Sequence, residues 1–542
     1  MSTSHRRHRQ DSTSTAAFVV AALLVVLAPL YRGGNRPLAL LALELIALAG
    51  IGVAIIPARS RDRIPMGAAL LVGLVALIPL LQLITLPLDQ WEKLPGRAAF
   101  AETLHDVAEV TSHTITIVPF ETQYAALALL PPIAAFLLAF QLRAPQAIRM
   151  MQLLVAVASV QAVIGLMQYG MLGGGAAGMR ASGTYINPNH FAGLLLMVLP
   201  IALMGLAVEI GDRTRERIRG RGLMGVFKRA AANKGMKVMV AVAVIALLLV
   251  AIIFSRSRAG ITIAALGIAI TTFAVAPRVG GPRAYGIVGV VLALVIGLAT
   301  AIGLIPVIDR FSEQEVLEDD RWTMAMAALE MAGAYFPVGS GVGTFAALYP
   351  PYQPAEILAF VHRAHDDYIE WVVEGGLLAM LAIVSALALY VARLVMLARE
   401  IDKNRVHYLQ VGAAIGLLLM GLHSLVDFNL RIPANSVVFA LLGGTLFARH
   451  HSLQLQESRR RRAHLPTAPI PVAPVPQLDP DAAARVQAVW AGEAVTPALA
   501  APVAMPPAPA RPTAPSPAVV TAEAGAQPDP LRAALAARRT VQ

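Results

Sequence analysis

The chain has 542 residues, of which 57% are hydrophobic and only 14% charged, and it contains no cysteine. A soluble domain cannot bury that much apolar surface, so the sequence predicts an integral membrane protein and excludes disulfides and thiolate metal sites. The net charge of +11 does not indicate a nucleic-acid partner, because the basic residues are spread over short loops between apolar segments, where the positive-inside rule places them.

Apolar stretches recur along the chain and predict an all-α, polytopic transmembrane bundle of about 12 spans, since crossing a bilayer takes roughly 20 residues. The first follows a basic N-terminal segment at 1–16, which is typical of a signal peptide but lacks a good cleavage site, so we expect a retained helix. The predicted spans lie at 17–31, 37–57, 65–88, 124–142, 148–170, 190–209, 237–254, 260–277, 285–307, 369–398, 408–426 and 434–448.

Lys and Arg residues are concentrated in alternate loops, around 59–63, 143–149 and 213–237, which places those loops and both termini in the cytoplasm. The loops between them are then external. The external loop at 308–368, between the ninth and tenth spans, is too long for a simple connection and is a functional candidate. Composition changes to Pro and Ala near the C-terminus, which predicts a disordered cytoplasmic tail at 449–542.

Titratable residues are scarce inside the spans, where Glu44 is the main example. The predicted external loops instead hold Arg180, Arg256, Arg258, Arg310, Arg321, Arg363, His365, His423 and Arg431. A proton-coupled transporter would place carboxylates near the middle of the membrane. This distribution therefore predicts chemistry at the outer membrane surface.

Arg180 opens the segment RASGTYINPNHFAG, in which Asn187 and Asn189 flank a proline. A turn explains these asparagines, with Asn189 as the predicted cap of the next helix. Arg180 is not explained in that way, because an external arginine gains nothing from the topology rule. It either binds an anion or has a structural role.

The segment SRSRAG, at 255–260, joins two spans with almost no loop. At least one of Arg256 and Arg258 must therefore lie at the membrane face or turn into the bundle. Forked guanidinium donors suit the oxygens of a phosphate or diphosphate. Contact with lipid headgroups is the alternative for both arginines. Arg258, directly before the small Ala-Gly pair, is the stronger candidate.

Two features of the long loop look like ligand sites but have simpler explanations. The glycines at 339–343 lack the lysine and the βαβ setting of a phosphate-binding loop, so we interpret them as a turn that shapes a groove. The pairs Asp319-Asp320 and Asp366-Asp367 suit helix capping or solvation better than Mg²⁺, so no metal site is predicted.

Two histidines near the predicted external ends have open roles. His365 lies just before an apolar run, where its imidazole can accept a proton, donate to a phosphate or cap the helix. His423 and Asp427 are four residues apart near the end of the eleventh span. We expect them to form a buried hydrogen-bonded pair with a structural role.

Five segments in this order resemble the O-antigen ligase and polymerase superfamily: RASGTYINPNHFAG, SRSRAG, DDRWTMAMAALEMAGAYFPVGSGVGTF, HDDYIEWVVEGG and HSLVDFNLRIP. The resemblance covers residues 20–448 and is strongest from Arg180 to Gly376. It implies a GT-C-like membrane glycosyltransferase that uses a polyprenyl-diphosphate-linked glycan, with no nucleotide sugar, metal or other cofactor.

The same resemblance assigns residues to roles. It carries the diphosphate-binding arginines onto Arg180 and Arg258, with Arg256 and Arg321 as further candidates, and the family histidine onto His365. His365 and Arg258 are then the expected catalytic residues. The arginines would offset charge on the leaving diphosphate, and His365 would deprotonate or orient the acceptor hydroxyl. The second arginine of SRSR and the His-Arg pair just before His365 depart from the family pattern, so individual roles stay open.

We therefore expect a metal-independent inverting glycosyltransferase of the O-antigen ligase or polysaccharide polymerase type, on the periplasmic face of the bacterial inner membrane. Its donor would be an undecaprenyl or other polyprenyl diphosphate glycan, and its acceptor the lipid A core of lipopolysaccharide, a growing polysaccharide or a protein. A transporter or flippase of lipid-linked sugars is the alternative from another class, and it predicts internal repeats and charge inside the membrane. A peptidoglycan-type polymerase of similar topology is a third possibility.

Overall fold

The structure is a computed structural model that describes residues 3–55, 64–107, 110–171, 179–219, 225–279, 316–400 and 404–448, with isolated residues elsewhere. The chain divides into two compact units, Met1–His464 and Leu465–Gln542. The fold below is that of the first unit. The predicted span at 285–307 and the predicted disordered tail lie outside the described residues, apart from a few isolated positions.

The described residues are mostly helical, as predicted. In chain order the helices are α1 (Thr3–Leu27), α2 (Pro37–Ile55), α3 (Met66–Gln82), α4 (Leu88–Trp91), α5 (Ala98–Val107), α6 (Pro119–Ala128), α7 (Leu130–Ala139), α8 (Ala144–Met171), α9 (Pro188–Arg219), α10 (Gly225–Phe254), α11 (Arg258–Val279), α12 (Val316–Tyr335), α13 (Phe345–Leu348), α14 (Asp367–Ala398), α15 (Arg405–His423) and α16 (Pro433–Phe447). One departure from an all-α fold is a small antiparallel sheet, in which Leu86 of β1 (Thr85–Pro87) pairs with His113 of β2 (Ser112–Thr114).

Within the described ranges, eight helical segments are long and apolar enough to cross a membrane. They are α2, α6 with α7, α8, Pro188–Ile210 of α9, Gly235–Phe254 of α10, Arg258–Ala276 of α11, α14 and α15. Shorter apolar helices at Thr13–Leu27, α3 and α16 coincide with three further predicted spans. The polytopic helical bundle is therefore confirmed, while the number of about twelve spans and the GT-C-like arrangement stay predictions.

Hydrogen bonds between distant parts of the chain show which helix ends lie together. The N–H of Asp367, at the start of α14, donates to the carbonyl of Ser424, just after α15, at 2.9 Å. Nε of Arg180, before α9, donates to the carbonyl of Ser255, just after α10, at 2.8 Å. Segments of several predicted external loops therefore share one end of the bundle, which we call the site end.

The opposite end gathers several predicted cytoplasmic segments. Nε2 of Gln141 donates to the carbonyl of Ala54 at 3.2 Å, which joins the ends of α7 and α2. Arg405, at the start of α15, lies 3.6 Å from the Glu209 carboxylate of α9. These contacts are in keeping with the alternation of loops predicted from the Lys and Arg distribution, while the side of the membrane on which each end lies stays a prediction.

Helix α9 is the central helix of the bundle. In its apolar window 83% of the residues are buried, against 17% for α14. Small residues allow its neighbours to approach closely: a Cβ on Gly416 of α15 would lie 2.4 Å from the carbonyl oxygen of Met197. A Cβ on Gly444 of α16 would lie 2.5 Å from the carbonyl oxygen of Phe136 in α7. Such contacts are typical of helix packing in membranes, where van der Waals contact between backbones replaces the hydrophobic drive.

A separate outer layer covers the site end. It is formed by residues 85–118 together with residues 321–366, and it has an apolar core of its own. The largest buried side chains of that core are Trp91, Met331, Tyr335, Phe345 and Tyr349. The described part of the predicted long external loop is therefore folded and forms one half of this layer. The segment between α3 and α6 forms the other half.

The buried side chain of Arg97 ties the two halves of the outer layer together. Its guanidinium donates to the carbonyls of Pro95 at 2.6 Å, Ile115 at 2.8 Å and Gly339 at 2.7 Å. Burial lowers the pKa of Arg97 to about 10, which still leaves it charged at neutral pH. This cation adds to a direct backbone hydrogen bond between the two halves, in which the N–H of Ile117 donates to the carbonyl of Ser340 at 3.1 Å.

Helix α14 is broken at Gly376, where the backbone leaves the helical region with φ +57° and ψ −139°. The N–H of Leu377 donates instead to the carbonyl of Pro337 at 2.8 Å. The N–H of Gly341 donates to the carbonyl of Glu374 at 3.0 Å. The glycine-rich loop therefore packs against the broken helix backbone, in keeping with its interpretation as a shaping turn.

Replacing Gly376 by alanine is expected to lower the melting temperature of the detergent-purified protein. A Cβ at this position would meet the carbonyl oxygen of Pro337 at 2.1 Å, and the positive φ adds strain of about 1–3 kcal/mol. Gly73→Ala in α3 is the matched control, because a Cβ there would meet nothing within 4 Å. Equal melting temperatures for the wild type and Gly376→Ala would contradict this account.

Candidate active site at the end of the bundle

The fully buried carboxylate of Asp427 is the centre of a polar cluster at the site end. Its Oδ1 lies 3.4 Å from Nδ1 of His365 and 3.6 Å from Nε2 of His190. Its Oδ2 accepts a hydrogen bond from Nδ2 of Asn189 at 2.8 Å and lies 4.0 Å from the Arg321 guanidinium. We call these five residues the Asp427 cluster.

Four segments of the chain contribute to the cluster. Asn189 and His190 belong to the first turn of α9, and Arg321 belongs to α12. His365 stands two residues before α14, and Asp427 follows α15. A buried carboxylate needs compensating charges and hydrogen bonds, so Asp427 fixes the relative positions of these segments.

Asn189 does not cap α9, which corrects the prediction. The side chain of Asn187 takes that role, because its Oδ1 accepts from the N–H of Asn189 at 2.8 Å. The Asn189 side chain is then available to bridge, with Oδ1 accepting from Arg180 at 2.9 Å and Nδ2 donating to Asp427. Arg180 is therefore one amide away from the central carboxylate.

His365 is the more accessible of the two imidazoles that face Asp427. Its side chain is 25% exposed, against 5% for His190. Both rings make edge contacts with Phe428, at centroid distances of 5.0 and 4.6 Å. Because Nδ1 of His365 faces the carboxylate, its Nε2 is directed away from it.

The backbone of His365 is in the left-handed region, with φ +53°. The next residue, Asp366, caps α14 by accepting from the N–H groups of Tyr368 and Ile369 at 2.8 and 3.0 Å. Asp366, and not His365, is therefore the capping residue. Left-handed backbone at a residue other than glycine is costly and is often found at functional sites.

The predicted arginines occupy different positions around the cluster. Arg321 donates to the carbonyl of Val426 at 3.1 Å. The carbonyl of Arg256 accepts from Arg180 at 3.3 Å, and Arg256 has a positive φ of 53°. Its Nε is buried and has no hydrogen-bond partner in the described part of the chain. Arg258 is half-buried at the first position of α11.

The surroundings of Asp427 keep it ionised. Burial alone would raise the pKa of Asp427, but the facing imidazoles of His190 and His365 and the charge of Arg321 lower it well below its usual value. His423 is also buried, and the charge of Asp427 acts on it. The burial of the predicted His423 and Asp427 pair is thus confirmed, while the hydrogen bond between the two side chains stays a prediction.

A second buried cluster, which we call the glutamate cluster, supports the segment that carries His365. Glu370 lies 2.8 Å from the Arg363 guanidinium and 3.1 Å from Nε of Arg431, and it accepts from the N–H of Ala364 at 3.0 Å. Arg431 also pairs with Glu374. Burial would lower the pKa of Arg431, but these carboxylates raise it above its usual value.

The sequence did not single out His190, Asn189 or Asp427 as site residues. Burial of Asp427 was predicted, but no local pattern relates it to Asn189, which lies 238 residues earlier in the chain. The available signal was weaker: Asp427, His190 and His365 all lie in or beside segments predicted at the same membrane face.

Comparison with known families agrees with the resemblance found in the sequence. Residues 243–384 match the family described as O-antigen ligase. That range includes Arg256, Arg258, Arg321 and His365, while Arg180 and Asp427 lie outside it. No curated protein is significantly similar to the chain.

Asp427→Asn is expected to lower the free energy of unfolding by about 3–5 kcal/mol, because it removes the charge that the buried partners face. The folded-state pKa of Asp427 is depressed, so its stabilising contribution is present above the unfolded pKa of about 3.9 and is lost as pH falls towards the folded value. The melting-temperature difference from wild type should therefore hold from about pH 6 to about pH 5 and shrink only below about pH 4.

The exposed Asp106 provides the control, since Asp106→Asn should change the melting temperature little at any of these pH values. A difference for Asp427→Asn that stays constant below about pH 4 would show that Asp427 has an ordinary pKa, and a difference that grows as the pH falls towards about 4 would show a raised pKa.

Proposed function

We propose that this chain, an integral membrane protein of the O-antigen ligase and polymerase superfamily, transfers a glycan from a polyprenyl diphosphate donor to an acceptor hydroxyl at its site end. The family match supports glycosyl transfer in polysaccharide biosynthesis. The donor, the acceptor and the roles of single residues are our proposal. The observation that carries it is the Asp427 cluster, in which the partly exposed imidazole of His365 has Nδ1 facing the buried carboxylate and Nε2 directed away from it.

In this mechanism His365 is the general base. Asp427 faces Nδ1 of His365 at 3.4 Å, which favours the tautomer with a proton on Nδ1 and a basic Nε2. The same carboxylate stabilises the imidazolium after proton transfer, as the aspartate of a Ser-His-Asp triad does. His190 is nearly fully buried, so we assign it to holding Asp427 in place.

The reaction exchanges one bond at the anomeric carbon for another. The bond from that carbon to the phosphate oxygen breaks, and the polyprenyl diphosphate leaves with the electron pair. The acceptor oxygen attacks the same carbon from the opposite face, which inverts its configuration. The acceptor proton passes to Nε2 of His365 and then to water.

Guanidinium groups are the proposed cations for the leaving diphosphate, in place of a metal ion. The buried Nε of Arg256, with no hydrogen-bond partner among the described residues, favours a role in anion binding. Arg180 is linked to the Asp427 carboxylate through Asn189, Arg321 lies 4.0 Å from that carboxylate, and Arg258 is the first residue of α11. A donor aimed at the developing charge contributes about 2.7–4 kcal/mol to the transition state.

The position of the site suits a lipid-linked donor. It lies at one end of a bundle of apolar helices, so a diphosphate can sit among the arginines while its prenyl chain stays beside the helices in the bilayer. We assign this end to the periplasmic face of the bacterial inner membrane, with both termini in the cytoplasm, from the Lys and Arg distribution.

His365→Ala is expected to reduce glycan transfer by about 10²–10⁴-fold, the usual contribution of a general base. The measurement is product formation from a synthetic polyprenyl-diphosphate glycan and an acceptor, with the purified protein in nanodiscs. His362→Ala is the matched control, since His362 is exposed and its ring contacts Phe360 outside the cluster. Equal rates for His365→Ala and wild type would refute the assignment.

The acceptor is identified by glycan profiling of a strain that lacks the gene. Single repeat units on the prenyl lipid are expected if the protein is a polymerase, and full-length chains on that lipid if it is a ligase. A missing glycan on a protein, with both other products normal, indicates transfer to protein. Accumulation on the cytoplasmic leaflet would instead favour a flippase and contradict the proposed transfer reaction.

A further inference from the structure

One helix of the outer layer, α12, has an apolar face that no other part of the described structure covers. Trp322, Met326, Leu329 and Phe336 are 74%, 50%, 47% and 41% exposed. Gly333 lies on the same face, and a Cβ added there would meet nothing within 4 Å. These five positions are spaced by three or four residues, so they form one continuous stripe, which we call the α12 stripe.

The rest of α12 faces two different environments. Met324, Ala328, Met331 and Tyr335 are buried in the core of the outer layer. Glu330 and Thr323 are exposed on the flank of the α12 stripe, next to Met326 in angular order around the helix. The helix therefore has a protein side, an apolar side and a polar side, the pattern of a helix that lies in a membrane interface.

The α12 stripe continues directly into the apolar surface of the membrane-crossing helices. Phe336 is followed by Pro337, whose carbonyl accepts from Leu377 in the broken part of α14. Leu377 and Leu381 are 37% and 46% exposed on the span that begins there. The end of α3 lies beside the same break, with Ile78 close to Gly375 and Leu80 58% exposed.

We infer that the α12 stripe lies in the hydrocarbon edge of the leaflet at the site end, so that α12 is an interfacial helix seated in membrane lipid. The continuity with α3 and α14 favours lipid over a partner protein or a second copy of the chain. Trp322 at one end of the stripe suits the headgroup level, where tryptophan is enriched.

The position of α12 in the lipid also affects the position of Arg321 in the site, and this point rests on the proposed function. Arg321 precedes Trp322 and contacts both the Val426 carbonyl and the Asp427 carboxylate. Lipid contact along α12 would thus set the depth of Arg321, and with it the level at which a lipid-linked diphosphate meets the Asp427 cluster.

The absence of cysteine makes a direct test possible, because a single introduced cysteine can be spin-labelled without background. The variants are Met326→Cys and Leu329→Cys on the stripe and Glu330→Cys on its polar flank. Leu381→Cys serves as the lipid reference, and Asp106→Cys, at an exposed polar position of α5 in the outer layer, as the water reference. Each is placed in nanodiscs of phosphatidylethanolamine and phosphatidylglycerol, and its accessibility to oxygen and to a water-soluble nickel chelate is measured by power saturation.

Labels at positions 326 and 329 are expected to be more accessible to oxygen than to nickel, as at 381. The label at 330 should show the opposite preference, as at 106. Nickel accessibility at 326 and 329 would overturn the inference, and so would protection from both reagents, which indicates a protein partner or a second copy. The accessibility of the labels does not depend on turnover, so its failure is distinct from a failure of the proposed reaction.

Discussion

The buried carboxylate of Asp427 is the interaction on which the site end depends. A charge that is fully removed from water is tolerated only when cations and hydrogen-bond donors surround it. Here Asn189 at the start of α9 donates a hydrogen bond to the carboxylate, while Arg321 of α12 and His365 before α14 lie 4.0 and 3.4 Å from it. Asp427 therefore restricts how the helix ends can be arranged at the site end. A shift of α9 or α12 would remove partners that compensate its buried charge.

The strained backbone of His365 is maintained by the contacts that follow it in the chain. Arg363 and Ala364 are held by Glu370, and Asp366 caps α14 immediately after the histidine. The break at Gly376 ends the stretch of α14 that carries both glutamates. The contacts within the segment from 361 to 376 thus fix the position of the His365 imidazole. Functional side chains generally depend on such supporting contacts, because their geometry must be held closely.

Much of the fold was accessible from the sequence, because span length and Lys/Arg bias are local properties. Every described predicted span is a helix, and His365, Arg180 and Arg321 lie around one centre. The sequence did not identify Asp427 as the central residue of the site, because its partners are distant in the chain. The cap of α9 is a different case, because Pro188 is a preferred residue for the first helical position and was a local signal that Asn187, and not Asn189, caps the helix.

The distance along the chain between the partners of this carboxylate has a consequence for biogenesis. Asn189 is synthesised 238 residues before Asp427, and α12 and the segment that carries His365 lie between them. Until α15 has been inserted and residue 427 follows it, the side chains of Asn189, His190 and His365 lack the carboxylate that they face. Within the described part of the chain, the site end is therefore complete only after residue 427 has joined the three segments that are made before it.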